Sequence, residues 1–356
     1  MLESKKILLT GLTGRIGSAA AAALAGANDV WGLARFTREG SREEAEKLGI
    51  TAVVGDFARD DLAQVLPDDF DYVVHVAANV MPGNAEEGMT DNADGSARLM
   101  SHCRRAKGFL HVSATGIYAQ NPDPYHAYRE TDDLGGGYGG QYAPTKLAAE
   151  GAVRAAALIL GLPTTIARQN VQYGGPATDG GLIGIFLDRF LDDGTVLMPE
   201  SGPFIIGAIH EDDIVAQIEP CLKAASVPAT IVNWGGDEVV DWQEMFEYIG
   251  TLVGRKPIFV RSGEFAFPNC YPDPTKRRAM SGPCSVSWKE GVRRMIEVRH
   301  PELELSARGL LPHFPVARLR RLSPGLAPPG HCRCPPTLNS ETNGIHHESQ
   351  IRGISS

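Results

Sequence analysis

The feature that most constrains this chain is a glycine-rich turn, T-G-L-T-G-R-I-G from Thr10 to Gly17. It lies between the apolar run K-K-I-L-L-T and an alanine-rich stretch from Arg15 to Ala25. A strand that turns at once into a helix needs a residue free in φ, and Gly11 supplies it. Gly14 has no Cβ to keep a pyrophosphate off the backbone, and Gly17 lets the helix pack close to the strand. The helix start offers unpaired N–H groups and about half a positive charge to a phosphate. Thr13, Arg15 and Ile16 fill out the loop. A plain tight turn would use similar letters; the strand–turn–helix context is what points to a dinucleotide.

The pattern that follows predicts an α/β chain with a Rossmann-type doubly wound parallel sheet and a smaller C-terminal substrate lobe. After the first strand and helix come strands at Val30–Ala34, Thr51–Val54, Tyr72–Ala77 and Phe109–Ser113, with a charged helix over Ser41–Leu48. Short strands that are apolar throughout and alternate with helices fit a sheet buried on both faces. A glycine-rich loop, Gly135 to Gly140, precedes a second alanine-rich helix near Pro144–Leu160 and a strand at Thr164–Ala167. We expect residues 1–175 to form the dinucleotide-binding domain, with 205–233 returning to the sheet. Residues 176–204 and 234–305 are expected to form the substrate lobe. The Pro- and Arg-rich stretch 306–356 reads as a disordered tail.

Composition removes several functions. A net charge of -9 and a pI near 5.6 give no footprint for nucleic acid or for an anionic membrane. No run approaches the roughly 18 apolar residues of a membrane span, and the N-terminus has no cleavable apolar core. The six cysteines are scattered without a C-x-x-C pair, which fits reduced thiols in a cytoplasmic protein and no metal site.

The end of the second strand bears on cofactor choice. A carboxylate there would hold a ribose 2′-hydroxyl, whereas W-G-L-A-R puts Arg35 at that place, with Arg38 close behind. A guanidinium suits a 2′-phosphate. NADP is therefore expected, with NAD as the alternative.

Y-A-P-T-K places Tyr142 and Lys146 four residues apart, on one face of the second alanine-rich helix. A phenol with a pKa near 10 is a poor acid–base catalyst at neutral pH. Bringing it down by about 3 units takes about 4 kcal/mol, which a fixed ammonium in a partly desolvated site can supply.

With these two motifs in place the chain resembles the extended short-chain dehydrogenase/reductase family, the NAD-dependent epimerase/dehydratase group, over about residues 5 to 300. G-D-F at 55–57 resembles the family's adenine-binding segment and implies cofactor roles for Asp56 and Phe57. H-V-A-A-N at 75–79 resembles the segment lining the cofactor, implying Ala77, Ala78 and Asn79. Asn92 matches the helix asparagine, A-R-Q-N-V-Q-Y-G-G-P the R-x-x-x-x-Y-G-P segment, and I-H-E-D-D-I the H-V-D-D-V motif. The chain departs from the family where a Ser or Thr should bind the substrate oxygen. Ala114 stands there, flanked by Ser113 and Thr115, and either hydroxyl could take the role.

The expected function is NAD(P)-dependent reduction of a carbonyl or oxidation of a secondary alcohol on a small-molecule substrate, assisted by Tyr142 and Lys146. A nucleotide-sugar epimerase that recycles bound NAD is the alternative, and a non-catalytic NAD(P) sensor the second. Relatives commonly pair through helices of the sheet domain, which leaves a homodimer open. Arg168 and Gln172 can face either the pocket or the core, and K-R-R at 276–278 is expected to be solvated.

Overall fold

A computed structural model of the chain describes residues 2–135, 140–175, 181–263, 265 and 267–306. The expected tail beyond Ser306 therefore lies outside the described residues, as do positions 136–139 of the glycine-rich loop. Seven strands form the central sheet: β1 (Lys6–Thr10), β2 (Asp29–Ala34), β3 (Thr51–Val54), β4 (Tyr72–His75), β5 (Gly108–Ala114), β6 (Thr164–Gln169) and β7 (Thr230–Trp234). Their order is β7-β6-β5-β4-β1-β2-β3, and every pair is parallel. The order reverses between β1 and β4, and in such sheets ligands bind in the crevice outside the carboxyl ends of the strands at that reversal.

Alternation along the strands feeds two cores. Ile7 and Leu9 of β1 point into one, with Val74, Leu110, Val112 and Ala167. Leu8 points into the other, with Val73, Phe109 and Ile166. Helix α1 (Arg15–Ala25) buries Ala20, Ala21 and Leu24 on the first face. The other face is covered by α3 (Gly95–His102) and α4 (Tyr142–Leu160), while α2 (Ser41–Lys47) lies between β2 and β3 in sequence. Small alanine side chains let α1 approach the sheet closely, and Gly161, at φ 63, ends α4 in a left-handed turn.

The return to the sheet expected over 205–233 is made by β7 alone. Ile205–Ile206 pairs antiparallel with Val240–Asp241, and Ile209–His210 pairs with Gln172–Tyr173, each in its own two-stranded ladder. Residue 211 onward is helix α6 (Glu211–Lys223), because the His210 side chain accepts from Asp212 N–H and three acids occupy the first turn. A further core joins α5 (Gly181–Asp193), α7 (Trp242–Val253) and α8 (Trp288–Arg299), with Phe186, Phe204, Trp242 and Phe265 in edge-to-face contact and Phe246 tilted against Trp242. No helix among the described residues is long and apolar enough to cross a membrane.

Candidate functional site

The glycine elbow has the geometry its spacing implies. Gly11 sits at φ 73, and a Cβ there would lie 2.7 Å from Ala77 N, so both the conformation and the neighbouring strand end require glycine. A Cβ on Gly17 would fall inside the Gly11 carbonyl. Thr13 and Gly14 are exposed at the turn, with Arg15 and Ile16 half-buried behind them. No side chain caps α1 at Gly14, and the positive end of the helix dipole lies at this turn. A pyrophosphate fits this cradle.

The segments around the elbow are tied together by one polar chain. Ala77 N–H donates to Thr10 Oγ1, which lies 2.7 Å from His75 Nδ1; His75 Nε2 lies 2.8 Å from Ser96 Oγ. Ser96 in turn donates to the Asn92 carbonyl, 2.6 Å away. Burial pushes the His75 imidazole down to about 3 and keeps it neutral, so the whole chain runs in one direction. Asn92 lies in a π-helical turn, Met89–Asp94, and its side chain bonds the Asn79 backbone on both sides and Thr145 Oγ1. Asn92 thus locks the segment after β4 to α4. Asp56 accepts from Ala58 N–H and Arg59, Asn79 donates to Asp91 and Glu87, and Phe57 packs edge-on against His75. Ala77 and Ala78 line the same stretch, half-buried. At the end of β2, Arg35 is exposed and makes no hydrogen bond or ion pair among the described residues, while Arg38 pairs with Glu44.

Tyr142 opens α4 and is half-buried; Lys146, one turn on, is 2% exposed. The ammonium does not turn to the phenol: Lys146 Nζ donates to the Val112 carbonyl at 2.8 Å. Burial pushes the phenol up to about 12, and the charge that offsets this is the Arg15 guanidinium. One of the three N–H donors of the Lys146 ammonium is thus engaged by the sheet, and two remain for other acceptors. Lys146 itself is pushed down to about 8 by burial, with Glu150 opposing. It stays protonated at neutral pH. The unfolded chain holds that proton up to about 10.5, so stability should rise from pH 8 to 10.5 as the folded amine is relieved of its charge. The urea midpoint of the wild type relative to Lys146→Met should climb across that window; a constant difference would contradict it.

The two hydroxyls flanking Ala114 separate. Ser113 Oγ donates 3.1 Å to Glu150 Oε2, beneath the sheet edge. Glu150 also takes two bonds from Arg168, whose second arm reaches Tyr118 Oη and the Glu130 carbonyl. Arg168 is 1% exposed, a core residue. Thr115 Oγ1 instead accepts from Asn170 Nδ2 at 2.7 Å. The chain K-R-R is not wholly solvated: Arg277 is buried and paired with Asp237, because Gly282 and Asp237 offer it partners under α6. Sequence reasoning missed Glu150, although positions 142, 146 and 150 share one helix face. It also missed Asn170. No cluster of metal-ligating side chains occurs among the described residues.

The chain resembles solved structures of about one-fifth identity, a level that speaks for the fold. The UDP-glucuronic acid 4-epimerase of Bacillus cereus, in complex with UDP-glucuronic acid and NAD, superposes with TM-score 0.71 at 20% identity. The match covers 83% of this chain and 99% of that one. The UDP-glucose 4-epimerase of Thermotoga maritima, with UDP-glucose, gives 0.71 at 20%, over 83% and 99%. The UDP-N-acetylglucosamine 4-epimerase of Methanobrevibacter ruminantium M1, with UDP-N-acetylmuramic acid, gives 0.71 at 19%, over 85% and 100%. No curated protein sequence matches the chain. The family model for the NAD dependent epimerase/dehydratase family matches residues 7–235. With its glycine elbow, its parallel Rossmann sheet and its tyrosine–lysine helix, the chain belongs to the NAD dependent epimerase/dehydratase family of extended short-chain dehydrogenases/reductases.

Proposed function

We propose that the chain transfers hydride between a nicotinamide cofactor and a carbonyl or secondary alcohol, with Tyr142 exchanging the proton. The observation that carries this is the start of α4, where Tyr142 and Lys146 share a helix face and the lysine reaches the Val112 carbonyl near the carboxyl end of β5. Gly11, Gly14 and Gly17 with the first turn of α1 would hold the pyrophosphate, Asp56 and Phe57 the adenosine end, and Ala77, Ala78 and Asn79 the middle of the cofactor. When bound, the nicotinamide supplies or accepts the hydride. Lys146 holds a ribose hydroxyl and a positive charge, Arg15 adds a second charge toward the phenol, and Tyr142 gives or takes the proton at the substrate oxygen. The substrate lobe would be residues 176–204 and 234–305.

Arg35 supports NADP over NAD. It is exposed at the end of β2, where a 2′-phosphate would lie, and has no ion pair among the described residues, whereas Arg38 is committed to Glu44. A hydrogen bond to a charged group contributes about 1.5–3 kcal/mol. Arg35→Asp should therefore weaken NADPH by about ten- to a hundredfold while sparing NADH, measured as dissociation constants by nicotinamide fluorescence. Equal loss for both cofactors would contradict the preference.

A second reading, a nucleotide-sugar epimerase with retained cofactor, is favoured by the UDP-sugars held in the three epimerases above. The two readings part in one assay with UDP-glucose, UDP-glucuronic acid and a series of secondary alcohols as probes. Net change in the near-ultraviolet absorbance of the reduced nicotinamide supports redox turnover. Conversion of the sugar without that change supports epimerisation. No conversion of any probe by either route would remove both.

A further inference from the structure

We infer that Thr115 is the residue that binds the substrate oxygen, and that Asn170 is a positioning residue which turns the Thr115 proton toward it. The inference rests on the hydride-transfer reading above and names the donor which that reading leaves open. Ala114 cannot serve, and Ser113 has already given its proton to Glu150, a carboxylate that is itself held by Arg168.

Thr115 differs because of what faces it. The Asn170 amide is oriented by two backbone groups that leave it no choice. Gly207 N–H, which can only donate, points at Asn170 Oδ1, 3.0 Å away. The Cys270 carbonyl, which can only accept, lies 3.0 Å from Asn170 Nδ2. The amide nitrogen is thereby fixed on the Thr115 side, and its second N–H donates to Thr115 Oγ1 at 2.7 Å. A hydroxyl that accepts a short bond from a fixed donor keeps its own proton for something else. Among the described residues that proton reaches only the Gln169 carbonyl at 3.4 Å, beyond the usual range for a hydroxyl donor.

A second group nearby lacks the same kind of partner. Gln169 stands directly across from Ala114 in the β5–β6 pairing, and its buried amide nitrogen has no acceptor among the described residues. Buried donors without acceptors are rare and call for an explanation such as a ligand. Gln169 thus marks a second unsatisfied donor at the carboxyl end of β6, while the place for a substrate oxygen is set by the Thr115 proton that Asn170 leaves over. The partner chemistry is a carbonyl or alkoxide-like oxygen on the substrate carbon that exchanges hydride.

The test is a double-mutant cycle on Thr115 and Asn170, read as kcat and KM for reduction of added NADP+ or NAD+ by UDP-glucose, UDP-glucuronic acid and the secondary alcohols. Thr115→Val should lower kcat about a hundredfold or more, as loss of one oxygen-binding donor does elsewhere, and Thr115→Ser should recover most of it. Asn170→Ala should lower kcat in the wild type and add little further loss in Thr115→Val. A structural role for Asn170 would instead cost the same factor in both backgrounds. Asn170→Asp keeps the size and the bond from Gly207 but sets an acceptor against the Cys270 carbonyl, so it should draw the Thr115 proton to itself, lowering kcat, and should also lower the melting temperature. Recovery of kcat in Thr115→Ser, with cofactor binding unchanged across the Thr115 variants, separates the loss of the donor from a folding artefact. Independent, multiplicative losses, or full activity in Thr115→Val, overturn this inference alone. A wild type that oxidises none of the probes, while binding cofactor, overturns the hydride-transfer reading and this inference with it.

Discussion

Tyr142→Phe is expected to lower kcat by about two to four orders of magnitude, the range over which a positioned proton donor contributes, while NADPH binding stays nearly unchanged. The substitution removes one oxygen and keeps the ring that fills the start of α4. The elbow, Arg35 and Lys146 are untouched, so the cofactor's contacts persist. The reason to expect a large effect is electrostatic. In the protein alone, burial holds the phenol near 12, with only Arg15 acting in the other direction. A group in that state is of little use as a base, so the site must lower it with charges that act at the moment of reaction. Lys146, protonated at neutral pH and anchored on the Val112 carbonyl, is one turn away and is the group placed to do so. Steady-state rates and fluorescence titration on the same preparation check both halves; a variant that turns over like the wild type would remove Tyr142 from the chemistry.

The second large effect concerns folding. Arg168→Met should destabilise the chain by about 3–5 kcal/mol, because it strands the Glu150 carboxylate without its cation in a buried site. Both side chains are almost wholly buried, at 1% and 2%. The pair is bidentate, with bonds of 3.1 and 2.6 Å. Replacing both partners, as Glu150→Leu with Arg168→Met, should cost less than Arg168→Met alone, since no uncompensated charge remains. The ordering of the three urea midpoints is the check. If the double variant is the least stable, the penalty does not come from the stranded carboxylate. The pair joins β6 to α4 two turns beyond Tyr142, so Arg168→Met should also blunt kcat by loosening the seat of Ser113 and the helix.

Much of this architecture was legible from residues alone, and the reasons are physical. Strands buried on both faces must be short and apolar, and those bounds came out within a residue or two for β2, β3 and β6. The helix from Arg15 to Ala25 was legible because its glycine start and alanine face are demanded by packing. Residues 205–210 were not legible, because two-residue strands carry no period and their partners, Gln172–Tyr173 and Val240–Asp241, lie far off in sequence. The choice between Ser113 and Thr115 was closed to sequence for a similar reason. Alternation sends Ser113 to the α4 face while the strand lasts, but β5 ends at Ala114 and a single helical turn, Thr115–Ile117, takes Thr115 out of register. Glu150 could have been found, as a charge eight residues beyond Tyr142 on the same helix face. Its partner Arg168, which the sequence leaves open between pocket and core, is placed in the core only when the sheet brings the two together.

The account turns on where a bound cofactor puts its nicotinamide, and a crystal structure of the chain with NADPH measures that directly. It should show the pyrophosphate on the first-turn N–H groups of α1, the 2′-phosphate on Arg35, and a ribose hydroxyl on Lys146. The nicotinamide carbon that carries the hydride should face the Tyr142 hydroxyl across a gap wide enough for one substrate carbon. A dinucleotide bound away from the elbow, or a nicotinamide that leaves Tyr142 out of reach, would contradict it.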